Sequence, residues 1–169
     1  ENISIKSIVP YIDWKPFFEA WELHGKFPEI LDDEVVGKSA RDLWEDAKKM
    51  LKKIDNEKIT LPSAVIGFWP ANSIGDDIEV YKDEKREEFK KKFFFLRQQM
   101  ERKSSKRANF CLADFVAPKD HGYRDYIGGF VVTAGKGIDN QARAYESKKD
   151  DYNSILVKSL GDRIAEGLA

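Results

Sequence analysis

Apolar side chains recur every three or four residues from Ala40 to Ile54, through Leu43, Trp44, Ala47, Met50 and Leu51. Charged residues fill the positions between them: Arg41, Asp42, Glu45, Asp46, Lys48, Lys49, Lys52 and Lys53. This period predicts an amphipathic helix with one face on a core and the other in water. Glu45 and Lys49 stand at i,i+4, the spacing of an ion pair on that wet face. A second arc of Tyr152, Leu156, Val157, Leu160, Ile164 and Leu168 predicts another helix from about Asp150 to the C-terminus. Asp150 and Asp151 at its start suit the positive end of the helix dipole. Gly161 and Gly167 lie inside it, each costing up to ~1 kcal/mol relative to alanine, so a frayed end near Glu166 is expected.

The middle of the chain reads differently. Ala64-Val65-Ile66-Gly67-Phe68-Trp69 is an apolar run expected to form a buried strand stopped by Pro70. Ala71 to Asp76 has turn chemistry and Ile78 to Tyr81 alternates like the returning strand, predicting a hairpin with a longish loop. Further strands are expected near 92–97, at Phe110 to Ala113 and at Tyr126 to Thr133. Gly128-Gly129 inside the last suggests a bulge or a close approach. Arg102 to Arg107 reads as a basic, solvated loop. Near the start, Tyr11 to Pro16 leads into an aromatic turn or two of helix with Phe17, Phe18, Trp21 and Leu23. Asp13 is placed to cap that helix, which Gly25 and Pro28 end. Helices at both ends of a strand-rich middle predict an α+β fold, a largely antiparallel twisted sheet flanked by helices.

Composition narrows the possibilities. A chain of 169 residues with 41% hydrophobic content supplies one core, so 1–169 is read as a single domain. Its 29 basic and 30 acidic residues nearly cancel, leaving no field to draw it to nucleic acid or an anionic membrane. No run reaches the ~20 apolar residues of a membrane span. The single cysteine, Cys111, forms no internal disulfide, and a reducing cytoplasmic setting is expected. His24 and His121 stand apart with no ligand spacing around them, so no metal site is expected. Gly135-Lys136-Gly137 is read as an ordinary turn rather than a phosphate cradle. No catalytic nucleophile or base is evident. On the last helix, with Leu160 at zero and 100° per residue, Asp162 falls at about 200° and Glu166 at about 240°, away from the apolar stripe. By themselves these carboxylates read as a solvated helix face, and Asp13 reads as a helix cap.

Ordered stretches along the chain nevertheless resemble one family. They are Tyr11-Ile12-Asp13-Trp14-Lys15-Pro16-Phe17-Phe18, Trp21 to Pro28, Gly67-Phe68-Trp69-Pro70-Ala71-Asn72, Gly75-Asp76-Asp77-Ile78 and Leu96-Arg97-Gln98-Gln99. Cys111 to Pro118, Asp125-Tyr126-Ile127-Gly128, Asp150 to Asn153 and Asp162-Arg163-Ile164-Ala165-Glu166 complete the set. Together they are similar to the activation domain of cobalamin-dependent methionine synthases. The resemblance implies a partial reactivation domain that presents S-adenosylmethionine for reductive remethylation of cob(II)alamin. The cobalamin is held by another domain of the same enzyme, and flavodoxin or a diflavin reductase supplies the electron. By the same resemblance Asp13 meets the amino group of S-adenosylmethionine, Glu166 lines that site, and Asp162 contacts the cobalamin domain. Carboxylates suit the ligand's ammonium and sulfonium charges.

The departures define what this chain lacks. The family's Arg-x-x-x-Gly-Tyr-x-x-x-Pro-Asp-His motif is absent, and Gly122-Tyr123, with Pro118 in the arginine's place, is no substitute. The resemblance covers about half of the family domain, so S-adenosylmethionine binding by this chain alone is expected to be weak or undetectable. The alternative is a noncatalytic docking module for the cobalamin domain or flavodoxin.

Overall fold

The structure, a computed structural model, describes residues 3–101 and 108–169. The basic loop expected at Arg102 to Arg107 lies outside the described residues. The chain forms two compact units, Glu1–Val65 with Val131–Ala169, and Ile66–Phe130.

The first unit is helical. It holds α1 (Ile5–Ile8), α2 (Lys15–Glu19), α3 (Gly37–Asn56), α4 (Gly137–Glu146) and α5 (Asp151–Leu168). The predicted stripe of α3 is the buried one: Ala40, Leu43, Ala47, Met50, Leu51 and Ile54 are all buried, with Trp44 packed at the margin. Its wet face pairs differently from expectation. Lys48 binds Glu45 at 2.6 Å and Lys49 binds Asp46 at 3.1 Å, each three residues apart. Asp46 is fixed there because it also accepts the Tyr152 hydroxyl at 2.9 Å.

Helix α5 starts where the acidic pair Asp150-Asp151 predicts, and the Asp150 carboxylate also caps it, accepting the Asn153 N–H at 3.1 Å. Leu156, Val157, Leu160 and Ile164 are essentially fully buried. The two glycines that look like faults in the sequence are contact points. A Cβ on Gly161 would lie 2.6 Å from Ile138 of α4, and one on Gly167 would lie 3.0 Å from Ile8 and 3.1 Å from Ile12. Helix α5 therefore runs to Leu168 without fraying at Glu166. Helix α4 was not foreseen, since Gly135-Lys136-Gly137 masks its start; Ile138 and Ala142 are its buried positions.

The second unit is built on an antiparallel sheet of order β3-β2-β1-β4, from β1 (Ser63–Ile74), β2 (Asp77–Tyr81), β3 (Phe89–Phe94) and β4 (Asp125–Thr133). The α+β class and antiparallel sheet are as predicted. Four local expectations are corrected. First, β1 does not stop at Pro70: the ladder to β2 begins one residue later at Ala71–Val80, so the missing proline N–H breaks no bond to β2. Second, the hairpin loop is only Gly75-Asp76, with Gly75 at φ +60. Third, β3 ends at Phe94 instead of running through 92–97. Fourth, Phe110 to Ala113 is not a strand. Asp114 turns back to accept the Cys111 N–H at 2.9 Å, and Leu112–Phe115 winds into a 3-10 turn.

Burial along β1 is the reverse of the expected pattern. Val65, Ile66 and Phe68 are exposed, whereas Pro70 to Ser73 are buried. The segment Cys111–Pro118 closes over that second half, with the Ser73 N–H donating to Ala117 O at 3.0 Å and the Ser73 hydroxyl to Val116 O at 2.8 Å.

Candidate functional site

The predicted carboxylates all belong to the helical unit. Asp13 sits between buried Ile12 and buried Trp14, and its own side chain is exposed. Its Oδ1 accepts the Lys15 N–H at 3.0 Å, so it does serve the entry to α2, one residue ahead of the formal cap, Trp14. The Trp14 ring is wedged edge-on against Trp44 at 4.5 Å and Phe17 at 5.5 Å. That aromatic cluster fixes the backbone carrying Asp13.

Glu166 is exposed on the last turn of α5, and Asp162 is exposed one turn before it. The helix thus buries Leu160 and Ile164 while offering two carboxylates to solvent, as its periodicity predicts. Glu166 is paired with Arg163, whose side chain is only 16% exposed against 52% for the glutamate. Because Arg163 is largely buried, a cationic ligand that takes Glu166 must offset the loss of this ion pair.

The geometry that joins these residues is a backbone approach. A Cβ on Gly167 would lie 3.5 Å from the Ile12 amide nitrogen, so α5 packs its final turn directly against the residue preceding Asp13. The neighbours of that contact in each segment are Asp13 and Glu166. The fold brings the two segments together, and both acidic side chains are exposed.

A second polar constellation, missed at the level of sequence, lies within the sheet unit. Arg97 holds Asp76 through Nε at 3.0 Å and Nη2 at 2.7 Å, and Asp114 through a two-pronged fork at 2.6 and 2.7 Å. The Arg97 fork, helped by the Cys111 N–H, holds the Asp114 carboxyl down to about 2. Arg86 lies over the rings of Tyr81 and Tyr126. It donates to Asn72 Oδ1 at 2.7 Å, Ala71 O at 3.2 Å and Asp125 O at 2.8 Å. Asn72 in turn donates to Ala117 O at 2.9 Å and Tyr123 O at 2.8 Å. The Asp125 carboxyl lies below its usual range because it accepts the N–H groups of Ala117 and Tyr126.

Most of the quoted middle-chain stretches converge on this network. Its charges are consumed internally, which marks it as a framework rather than a ligand site. A cavity of about 600 Å³ opens beside it, between Ser73–Gly75 and Ala113–Asp120. Two of its charges are already engaged, Asp114 with Arg97 and Lys119 with Glu79 at 3.1 Å. The signal available in the sequence was the recurrence of Asp and Arg inside those stretches, but not which pairs would meet. Among the described residues no helix is long and apolar enough to cross a membrane.

Comparison with known proteins gives this geometry its context. A family model described as vitamin B12 dependent methionine synthase, activation domain, matches residues 4–169. Among solved structures, the crystal structure of the MetH reactivation domain bound to AdoHcy is similar over 99% of this chain, at 51% sequence identity and a TM-score of 0.94. This chain spans 51% of the length of that one.

Proposed function

The chain belongs to the activation-domain family of vitamin B12-dependent methionine synthases, and on that premise we propose that it is part of a reactivation domain presenting S-adenosylmethionine to a cobalamin-binding domain of the same enzyme. The observation that carries the reading is the contact of Ile12 with Gly167, which sets Asp13 and Glu166 on adjoining segments of one unit. Both helical and sheet units are then portions of one partial domain covering 1–169. The similar MetH domain binds AdoHcy, the species left when S-adenosylmethionine has given up its methyl group.

S-adenosylmethionine supplies an electrophilic methyl on a sulfonium, which suits remethylation of cobalamin after one-electron reduction by flavodoxin or a diflavin reductase. The residues of this chain position and neutralise. Asp13 accepts from the ligand's ammonium, held in place by its bond to Lys15 N–H and by the Trp14 wedge. Glu166 exchanges its Arg163 partner for the ligand's positive end, and Asp162, one turn away, faces the cobalamin domain. No proton transfer is required of any of them, so the contribution is orientation and charge. A cytoplasmic setting fits this chemistry.

Calorimetric titration of S-adenosylmethionine into the parent-length protein tests the assignment. Removing a charge-assisted hydrogen bond costs about 1.5–3 kcal/mol. Asp13→Asn is therefore expected to weaken binding by about tenfold or more, and Glu166→Gln by less, because Arg163 already shares that carboxylate. Unchanged affinity in both variants would dismiss the shared site. The 169-residue chain alone is expected to give little or no heat. The second reading, a noncatalytic docking module, is favoured by the existing Arg163–Glu166 pair, and a parent-length protein that takes up no S-adenosylmethionine would support it.

A further inference from the structure

Successive residues of β1 point to opposite faces of the sheet, and both faces carry an uncovered aromatic ring. On one face Phe68 lies over Gly128, where a Cβ would come within 3.0 Å of its ring. On the other, Trp69 lies over Gly129, where a Cβ would come within 3.3 Å. The glycines let both rings lie flat. Around Phe68, Ile66 is 67% exposed, Phe68 itself 73% and Phe130 59%. Beside Trp69, an apolar notch of about 390 Å³ opens between Phe93 and Ile127.

The Trp69 face is not bare throughout. Towards the Gly75 turn, its Ala71, Ile78 and Val80 are packed beneath Cys111, Ala113 and Val116. Interior-type residues therefore continue along β1 beyond the point where their cover stops. On the Phe68 face the β2–β3 side is already charged and paired, through Lys92–Asp77 at 3.0 Å and Lys119–Glu79 at 3.1 Å. Bare apolar positions cluster on β1 and β4, with Phe89, Phe93 and Phe94 of β3 exposed as well. An antiparallel sheet with one solvated face carries polar residues there, whereas this end of the sheet has none of that alternation.

We propose that the Ile66–Trp69 and Tyr126–Phe130 end of this sheet is an inner layer of the parent protein, covered on both faces by the part of the family domain that this chain does not contain. The occupant follows from the comparison already made. The matched structure reproduces this chain at a TM-score of 0.94 yet is about twice its length, so it has a comparable amount of further chain beyond a shared half that includes this sheet. A contiguous apolar surface of this kind marks a place where more protein packs. The proposal rests on family membership and not on the ligand reading, and its test needs no ligand.

A cysteine introduced by Ile66→Cys reports coverage directly, since position 66 is solvent-facing here and Cys111 is buried. Maleimide labelling of this position is expected to be at least about tenfold slower in the parent-length protein than in the 169-residue chain. As a second readout, Phe130→Ser is expected to lower the denaturation midpoint of the parent-length protein and leave that of the short chain unchanged or higher. Equal labelling rates in the two proteins overturn the proposal. Protection that appears in the short chain and grows with its concentration also overturns it, by giving the surface to a second copy.

Discussion

The helical unit and the sheet unit are held together by different physics. In the first, Phe17, Phe18, Ile54, Leu156, Val157, Leu160 and Ile164 are each exposed by 1% or less, a continuous apolar core of large side chains. In the second, the buried cluster is Ala71, Ile78, Val80, Cys111, Ala113 and Val116, half of them alanine or cysteine and none aromatic. Polar ties add to that cluster, the Arg97 fork to Asp114 and the Arg86 bond to Asn72. Apolar burial is non-directional and tolerates repacking, whereas a polar lock leaves orphaned groups when one member is lost. The carboxylates proposed for ligand binding stand on the unit with the continuous apolar core of large side chains.

The contrast breaks most sharply at Leu160, which is fully buried on α5. Leu160→Ala should cost roughly 2–5 kcal/mol, the range for a large-to-small change at a well-packed site. Chemical denaturation followed by far-ultraviolet circular dichroism measures it. Val80→Ala in the small cluster should cost distinctly less, and equal losses would mean that the two interiors do not differ as described. The next largest effect is expected at Asn72, 3% exposed in the sheet unit. Asn72→Ala strips donors from Ala117 O and Tyr123 O and an acceptor from Arg86, a loss of about 1–3 kcal/mol. Amide exchange should quicken in 111–126 and stay unchanged in α3 and α5. Uniform acceleration across the chain would show that the lock is not local.

The same division decides what could be read from the sequence. Helices α3 and α5 were legible because a 3.6-residue period is a local property, and Asp150 and Asp151 marked the start of α5 as charges suited to the positive end of its dipole. The solvent-facing positions of Asp162 and Glu166 followed from that period, and the service of Asp13 to α2 followed from its residue type. Burial along β1 was not legible. An apolar run is silent about which half will be covered, and the cover arrives from Cys111–Pro118, some forty residues later. The 3-10 turn at Leu112–Phe115 was hidden for a related reason, since its Asp114 is committed to both Arg97 and the Cys111 N–H. For the site, each carboxylate was visible, but the contact that brings their two segments together was not. Gly167 read as a defect in a helix, and only in three dimensions does it become the place where Ile12 fits.

The smallest expected effect sharpens the comparison most selectively, because it separates the two contributions to one residue. Asp114 is held at about 2 against an ordinary 3.8, first by the Arg97 fork and then by the Cys111 N–H. With the folded value below the unfolded one, its contribution to stability is present above the ordinary value and is lost as pH falls from about 4 through about 2. Arg97→Lys replaces a two-pronged fork with a single mobile ammonium. The Asp114 midpoint, followed by carboxyl carbon resonances in an acid titration, should rise towards its ordinary value and stop short of it, because the Cys111 N–H still donates. The helical unit offers an internal control in Asp46, whose carboxyl is lowered by Lys49 and Tyr152 and should titrate unchanged. If the Asp114 midpoint does not move, the backbone turn rather than the arginine holds that carboxylate, and the sheet unit would owe less to its polar lock than its geometry implies.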